Sequence, residues 1–265
     1  MFDTSHIATC EYIDGDAFEA LGVPGVSYVK TDQVKAALKS HAVKGVLLTH
    51  NSDLGIDAEL ASLAFERSPG ISIWFGQNVL VRHPKLVSIP IGLERARWYP
   101  DLRKRDRLHS KAKHSLEMPT NLCLANFSVS TNKTERMLCL DKASAFATLR
   151  SVDTVCQSTY DRYLTEILSH KFVLCPNGNG VDTHRLWETL YLGRIPVVTR
   201  SPTTEAFASL PMVILDTWAD LTRTGLEDYW RSFCDGLVNY SLDVLLMSHW
   251  RNRIVAAATL ARSQQ

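Results

Sequence analysis

Residues 171–200, KFVLCPNGNGVDTHRLWETLYLGRIPVVTR, decide the fold of this 265-residue chain, because they read in succession as strand, loop, helix and strand. KFVLC is an uninterrupted apolar run with β-formers, the pattern of a strand buried on both faces of a parallel sheet, and Pro176 ends it. A polar loop follows over residues 177–180. In it Gly178 and Gly180 can take positive φ or let a ligand approach the backbone, and Asp182 is a good N-cap for the next helix. Gly193 closes that helix and Pro196 opens the strand IPVVT. The unit is therefore a βαβ crossover whose turn aims a helix N-terminus beyond the strand ends.

Such an N-terminus carries free backbone N–H groups and a partial positive charge, which suits a phosphate. Thr183 and His184 stand at its start, and Arg185 adds a planar, permanently charged fork matched to diphosphate oxygens. Glu188, three residues past Arg185 and four past His184, shares their face and is expected to look into a cleft, while Leu186 and Leu190 take the core side. Together with Gly178, Asn179, Gly180 and Asp182 these residues form a candidate site for the donor diphosphate and sugar of a nucleotide sugar. A plainer reading stands beside it: an i,i+4 surface pair, a solvated arginine and two turn glycines.

CPNGNGVDTHRLWETLYLGRIPVV resembles the C-terminal signature of exostosin-type glycosyltransferases and their bacterial and large-virus relatives. There a Cys-Pro-Gly turn leads to an arginine, a glutamate three residues on, and Gly-x-Ile-Pro-Val. The resemblance spans roughly thirty residues and implies that Arg185 faces the donor diphosphate and Glu188 the ribose. Weaker echoes are the NSD at residues 51–53, WFGQN at 74–78, IPIGL at 89–93 and the FS.STN..ER pattern at 127–136. Some relatives are xylosyltransferases, which suggests a UDP-sugar donor and UDP-xylose among the candidates.

Composition fits a folded soluble protein, with 45% hydrophobic and 22% charged residues and a formal net charge of +1. That charge gives no reason to expect nucleic acid or an anionic membrane as partner. The basic cluster at Arg103, Lys104, Arg105, Arg107, Lys111 and Lys113 lies in residues 95–120, which Pro100 and Pro119 mark as a solvated linker. Six cysteines show neither a CxxC pair nor a disulfide framework, so a reducing, cytoplasmic setting is expected, in a bacterium or a virus-infected host cell. No membrane-length apolar window and no signal peptide is evident. Metal-ligand spacing is absent as well, and no cofactor is expected. Asp14-Gly15-Asp16 resembles a cation-binding DxD, but its place before DAFEAL favours a turn and an N-cap.

Along the first half, strands are expected at residues 27–31, 45–50, 71–76 and 85–91, with helices over QVKAALKSH and DAELASLAFER between them. Ligands of parallel sheets bind beyond the strand carboxyl ends. His50, Asn51, Ser52 and Asp53 follow the second strand, Gln77 and Asn78 the third, and Glu94 the fourth. Asn51, Ser52, Gln77 and Asn78 are therefore expected to line an acceptor-side cleft, although Asn, Ser and Asp also make ordinary turns and caps.

The second half continues with a strand at 121–128, a helix from 132 to about 149, a strand DTVCQS, a helix YDRYLTEILSH, the signature unit and a strand at 212–216. A helical tail follows, whose end is able to return to the first half. Trp218, Trp230 and Trp250 read as core.

The expected architecture is α/β, two Rossmann-like domains facing across a cleft (the GT-B arrangement), with residues 1–110 on the acceptor side and 111–265 binding donor. The expected activity is metal-independent transfer of a sugar from a nucleotide diphosphate to a hydroxyl of a glycan or glycoconjugate. Asp53 is the first candidate for the general base, followed by Glu94 and His50. The alternatives are a catalytically silent nucleotide-sugar-binding module and a nucleotide-sugar epimerase on the same fold.

Overall fold

The computed structural model describes residues 1–40, 43–150 and 156–263. The chain is α/β with parallel sheets covered by helices, consistent with Rossmann-like folds. Its first half runs α1 (Gly15–Glu19), β1 (Val26–Lys30), α2 (Val34–Lys39), β2 (Gly45–His50), α3 (Ala58–Arg67), β3 (Ile71–Gly76) and β4 (Leu86–Ser88). The four strands form one parallel sheet in sequential order. GVLLTH of β2 is buried at every position because both faces are covered, and its alternation divides two cores. Val46 and Leu48 belong to one, with Phe18, Phe75 and Ile254, whereas Leu47 belongs to the other, with Val34, Leu60, Ile71 and Trp74.

After α4 (Lys104–Ala112) the second half continues with β5 (Asn121–Asn126), α5 (Lys133–Ala143), β6 (Ala147–Arg150), α6 (Gln157–Ser169), β7 (His170–Leu174) and α7 (His184–Tyr191). It closes with β8 (Ile195–Thr199), α8 (Pro202–Ala206), β9 (Val213–Leu215), α9 (Arg223–Cys234) and α10 (Met247–Ser263). Its five strands are parallel in the order β6-β5-β7-β8-β9. The order reverses between β5 and β7, and such switch points open a crevice at the strand carboxyl ends. Helix α10 returns to pack against β2 and β3. Trp218, Trp230 and Trp250 are buried.

Three sequence expectations need correction. The helix from residue 132 stops at Ala143, and Ala147–Arg150 is instead the edge strand of the second sheet, paired with β5. Of the expected strand DTVCQS, residues 153–155 lie outside the described residues, Cys156 is the N-cap of α6, and Gln157 and Ser158 begin that helix. Residues 95–120 are not a solvated linker. Leu108 and Ala112, four apart, bury one side of α4, while Lys104, Arg105 and Arg107 pair with Glu94, Asp14 and Asp161. Cations that a linear scan assigns to solvent thus brace α4 against both halves, and the boundary expected at 110/111 falls inside this helix. Buried residues of both halves join one continuous core there.

Candidate functional site

A cavity of about 760 Å³ lies at the switch point, lined by Asn126 at the end of β5, Arg150 at the end of β6 and residues 178–180, 182–185 and 188 after β7. Asp53 and Glu94 from the first half close its far side. The loop that follows β7 is held from α5. Arg136 Nε donates to the Asn177 carbonyl (2.8 Å), and Glu135 Oε1 accepts from the Asn177 N–H (3.1 Å) and from Trp218 Nε1 (2.9 Å). Neither Gly178 nor Gly180 is left-handed, so their requirement is closeness rather than positive φ. A Cβ on Gly180 would stand 2.5 Å from the Asn78 amide, and one on Gly178 would stand 2.9 Å from Arg136.

Thr183, not Asp182, is the N-cap of α7, and its hydroxyl makes no cap bond. Asp182 turns inward instead: its carboxylate accepts from the Ile91 N–H (2.7 Å) and from Trp187 Nε1 (2.9 Å), and burial pushes its pKa up to about 7. It joins the two halves while still lining the first cavity. Of the six buried side-chain polar atoms that lack protein partners among the described residues, three stand together at the start of α7, Thr183 Oγ1 and the Nε and Nη1 of Arg185; the others, on Thr31, Ser68 and His170, lie elsewhere. Orphaned donors in a buried position are costly unless something accepts from them. Cζ of Arg185 lies 5.4 Å from the Phe127 ring and Cζ of Arg136 5.6 Å from it, so two guanidinium groups flank one aromatic. Burial, and next the Arg185 cation, push the Arg136 pKa down to about 10. Two like charges therefore share this end of the cavity.

Glu188 is buried on the cavity floor rather than on a surface. Tyr160 donates to its Oε1 and Tyr163 to its Oε2, each at 2.9 Å. The two tyrosines, with Arg136, Phe127, Asn126 and Arg150, are among the residues at the site that sequence reasoning missed. Their available signals were the i,i+3 spacing of the tyrosines on the amphipathic α6 and the ER closing the FS.STN..ER pattern.

The expected acceptor side divides. Asp53 is exposed and accepts at Oδ2 from Asn179 of the donor-side loop (3.1 Å). The cap of α3 is Asp57, which accepts from the Leu60 N–H (2.8 Å), so Asp53 has no capping duty. Glu94 pairs with Lys104. His184 donates from Nδ1 to the Gly92 carbonyl (2.8 Å). Asn78 does not line a cavity: it is buried at φ 56°, and its Oδ1 accepts from the Asp182 N–H (3.0 Å). Gln77 accepts from the Asn51 N–H (3.1 Å), and Asn51, at φ 61°, donates to the Gly15 carbonyl (3.1 Å), so both hold the turn. Asn51, Ser52 and Gln77 all line a second cavity, of about 430 Å³, which shares Asp53, Ile91, Glu94 and His184 with the first.

His50 lines the second cavity but is 1% exposed, with both ring nitrogens engaged within its own half. Its Nε2 donates to the Pro90 carbonyl (2.9 Å) and its Nδ1 accepts from the Asn51 N–H (2.8 Å), while burial lowers its pKa to about 4. The unfolded chain therefore binds this proton near pH 6.5 and the folded chain only near 4, so His50 contributes stability above pH 6.5 that is lost as pH falls through 4. Asp182, raised to about 7, acts in the opposite sense over nearly the same window. The measurement is accordingly a difference. The stability gap between wild type and His50→Gln should shrink by on the order of 3 kcal/mol from pH 7 to pH 4, followed by denaturant unfolding. A gap constant with pH means that His50 titrates normally.

The DxD-like residues act as a cap and as ion-pair partners. Asp14 accepts from the Ala17 N–H (2.8 Å) and pairs with Arg105, and Asp16 pairs with Arg95 (2.7 Å) and Arg97 (2.7 Å). No helix among the described residues is long and apolar enough to cross a membrane. No protein-family model matches the chain, and no curated protein matches it either.

Proposed function

We propose that this chain is a glycosyltransferase of the GT-B arrangement, its two Rossmann-like halves holding a nucleotide-sugar donor and a glycan acceptor on opposite sides of a cleft. One observation carries the reading. At a topological switch point, the orphaned guanidinium nitrogens of Arg185 and the orphaned Thr183 hydroxyl converge at a helix N-terminus, in a cavity floored by a carboxylate. A diphosphate satisfies the donors and the helix end, and ribose hydroxyls satisfy the remaining lone pairs of Glu188. The similarity to exostosin-type enzymes supports a UDP-sugar donor, UDP-xylose among the candidates.

In the proposed step the acceptor oxygen forms a bond to the anomeric carbon. The bond from that carbon to the diphosphate oxygen breaks, and its electron pair leaves on the diphosphate. The acceptor proton passes to Asp53, and Arg185, Arg136 and the α7 N-terminus stabilise the charge of the leaving group. Sugar release from a panel of nucleotide sugars, with and without saccharide acceptors and with and without chelator, tests this. Transfer to an acceptor is the expected result. Binding of nucleoside diphosphate with no turnover indicates a silent binding module, and conversion of one nucleotide sugar into another indicates an epimerase.

Glu188→Gln should weaken donor binding by roughly tenfold, because one ribose-accepting oxygen becomes a donor. The amide can still bond both tyrosines, one as acceptor and one as donor, so Tm should stay within about 3 °C of wild type. Calorimetry showing normal donor affinity together with a much lower Tm makes Glu188 a structural residue.

A further inference from the structure

The second cavity has a feature that neither the diphosphate site nor the carboxylates account for. Of the six tryptophans, Trp74, Trp187, Trp218, Trp230 and Trp250 are buried, whereas Trp98 lines this cavity and is 66% exposed. Tyr99 stands beside it, with the Lys104 ammonium 4.7 Å from its ring centroid, so one aromatic is engaged and the indole is not. A large aromatic left in water is unfavourable and, when held rigidly in a concave site, marks a binding surface.

Here the turn is braced. Trp98 ends the 3-10 turn Ala96–Trp98, flanked by Arg95 and containing Arg97, and both arginines pair with both Asp16 and Glu19. Arg95 is itself buried. Four ion pairs therefore fix the backbone that carries an exposed indole, which spares a ligand the entropy of ordering it. Apart from Ile91 and Tyr99 the rest of the wall is polar, with Lys30, Ser52, Asp53 and Glu94 among its residues. One hydrophobic plate with hydrogen-bonding groups around it matches a sugar ring, which has an apolar C–H face and a rim of hydroxyls. The two cavities meet at Asp53, Glu94 and His184, so a ring lying on Trp98 has its neighbouring hydroxyl beside the carboxylates and facing the donor cavity.

We infer that Trp98 is the stacking platform of a saccharide subsite in the second cavity, with Tyr99 as its side wall. The inference rests on the glycosyl-transfer reading, since it identifies the acceptor as a pyranose-containing glycan that enters from the Trp98 side.

The probes are methyl glycosides of glucose, galactose, mannose, xylose and N-acetylglucosamine and their disaccharides, at millimolar concentration with UDP present. Binding is followed by saturation-transfer NMR and by acrylamide quenching of tryptophan fluorescence, which reports mainly on the single exposed indole. At least one saccharide should bind and shield the fluorescence. Trp98→Ala should weaken that binding by roughly tenfold or more and Trp98→Phe by less, with UDP affinity and Tm equal in all three proteins. Saccharide affinity in Trp98→Ala within about twofold of wild type overturns the subsite, as does the absence of saccharide binding when UDP binds normally. Failure of wild type to bind UDP, with Trp98-dependent saccharide binding intact, instead overturns the donor reading and leaves the subsite standing.

Discussion

Replacing Asp53 with asparagine is expected to lower turnover by about a hundredfold or more, the usual contribution of a positioned general base. Donor affinity and Tm should change little. The expectation follows from how the three acidic or basic candidates at the cleft are occupied. His50 has both ring nitrogens bonded within its own half and a pKa lowered by burial to about 4. Glu94 is tied to the Lys104 ammonium, which also lies over Tyr99 and Tyr160. Asp53 is exposed where the two cavities meet, and its one bond among the described residues reaches Asn179 through Oδ2.

Asparagine at 53 can still accept from Asn179, and the cap of α3 belongs to Asp57, so nothing structural depends on the charge. The variant separates a base from a tether: loss of kcat with unchanged KM for donor indicates a base. Near-normal turnover in Asp53→Asn, with a large loss in Glu94→Gln, moves the base to Glu94.

What could be read from the chain and what could not follows from the range of the interactions. GVLLTH, ISIWFG and IPVVT are strands over the residues that their apolar runs indicate, because their central positions are mostly buried and apolar. Strand β6 was hidden: ATLR is a half-exposed edge whose only strong determinant is pairing with β5, more than twenty residues away. Arg185 and Glu188 could be placed on one helix face from spacing alone. That Glu188 would be buried under two tyrosine hydroxyls could not, because this depends on how α6 packs across α7. Asn78 and Asp182 looked like a cleft residue and a helix cap, yet they bond each other and join the halves. A turn-forming residue and an interface residue share one composition, and only tertiary contact distinguishes them.

Arg185→Ala is expected to raise the Kd for UDP by about 10- to 100-fold, equivalent to the roughly 1.5–3 kcal/mol of a charge-assisted hydrogen bond. Two of its guanidinium nitrogens are buried with no protein acceptor among the described residues, and Arg136 lies across the same phenyl ring. In the free protein this arrangement is unfavourable, since a partly desolvated cation faces a like charge across the Phe127 ring. Removing the guanidinium should therefore leave the Tm of the free protein equal or raise it, while the stabilisation that saturating UDP gives to wild type falls. A structural arginine behaves in the opposite way, with Tm lost and ligand affinity kept. Arg185→Lys adds a test of shape: it keeps a charge near α7 but not the fork, so its UDP affinity should lie between wild type and alanine. Equal UDP affinity in all three proteins removes Arg185 from the site, and with it the observation on which the donor reading rests.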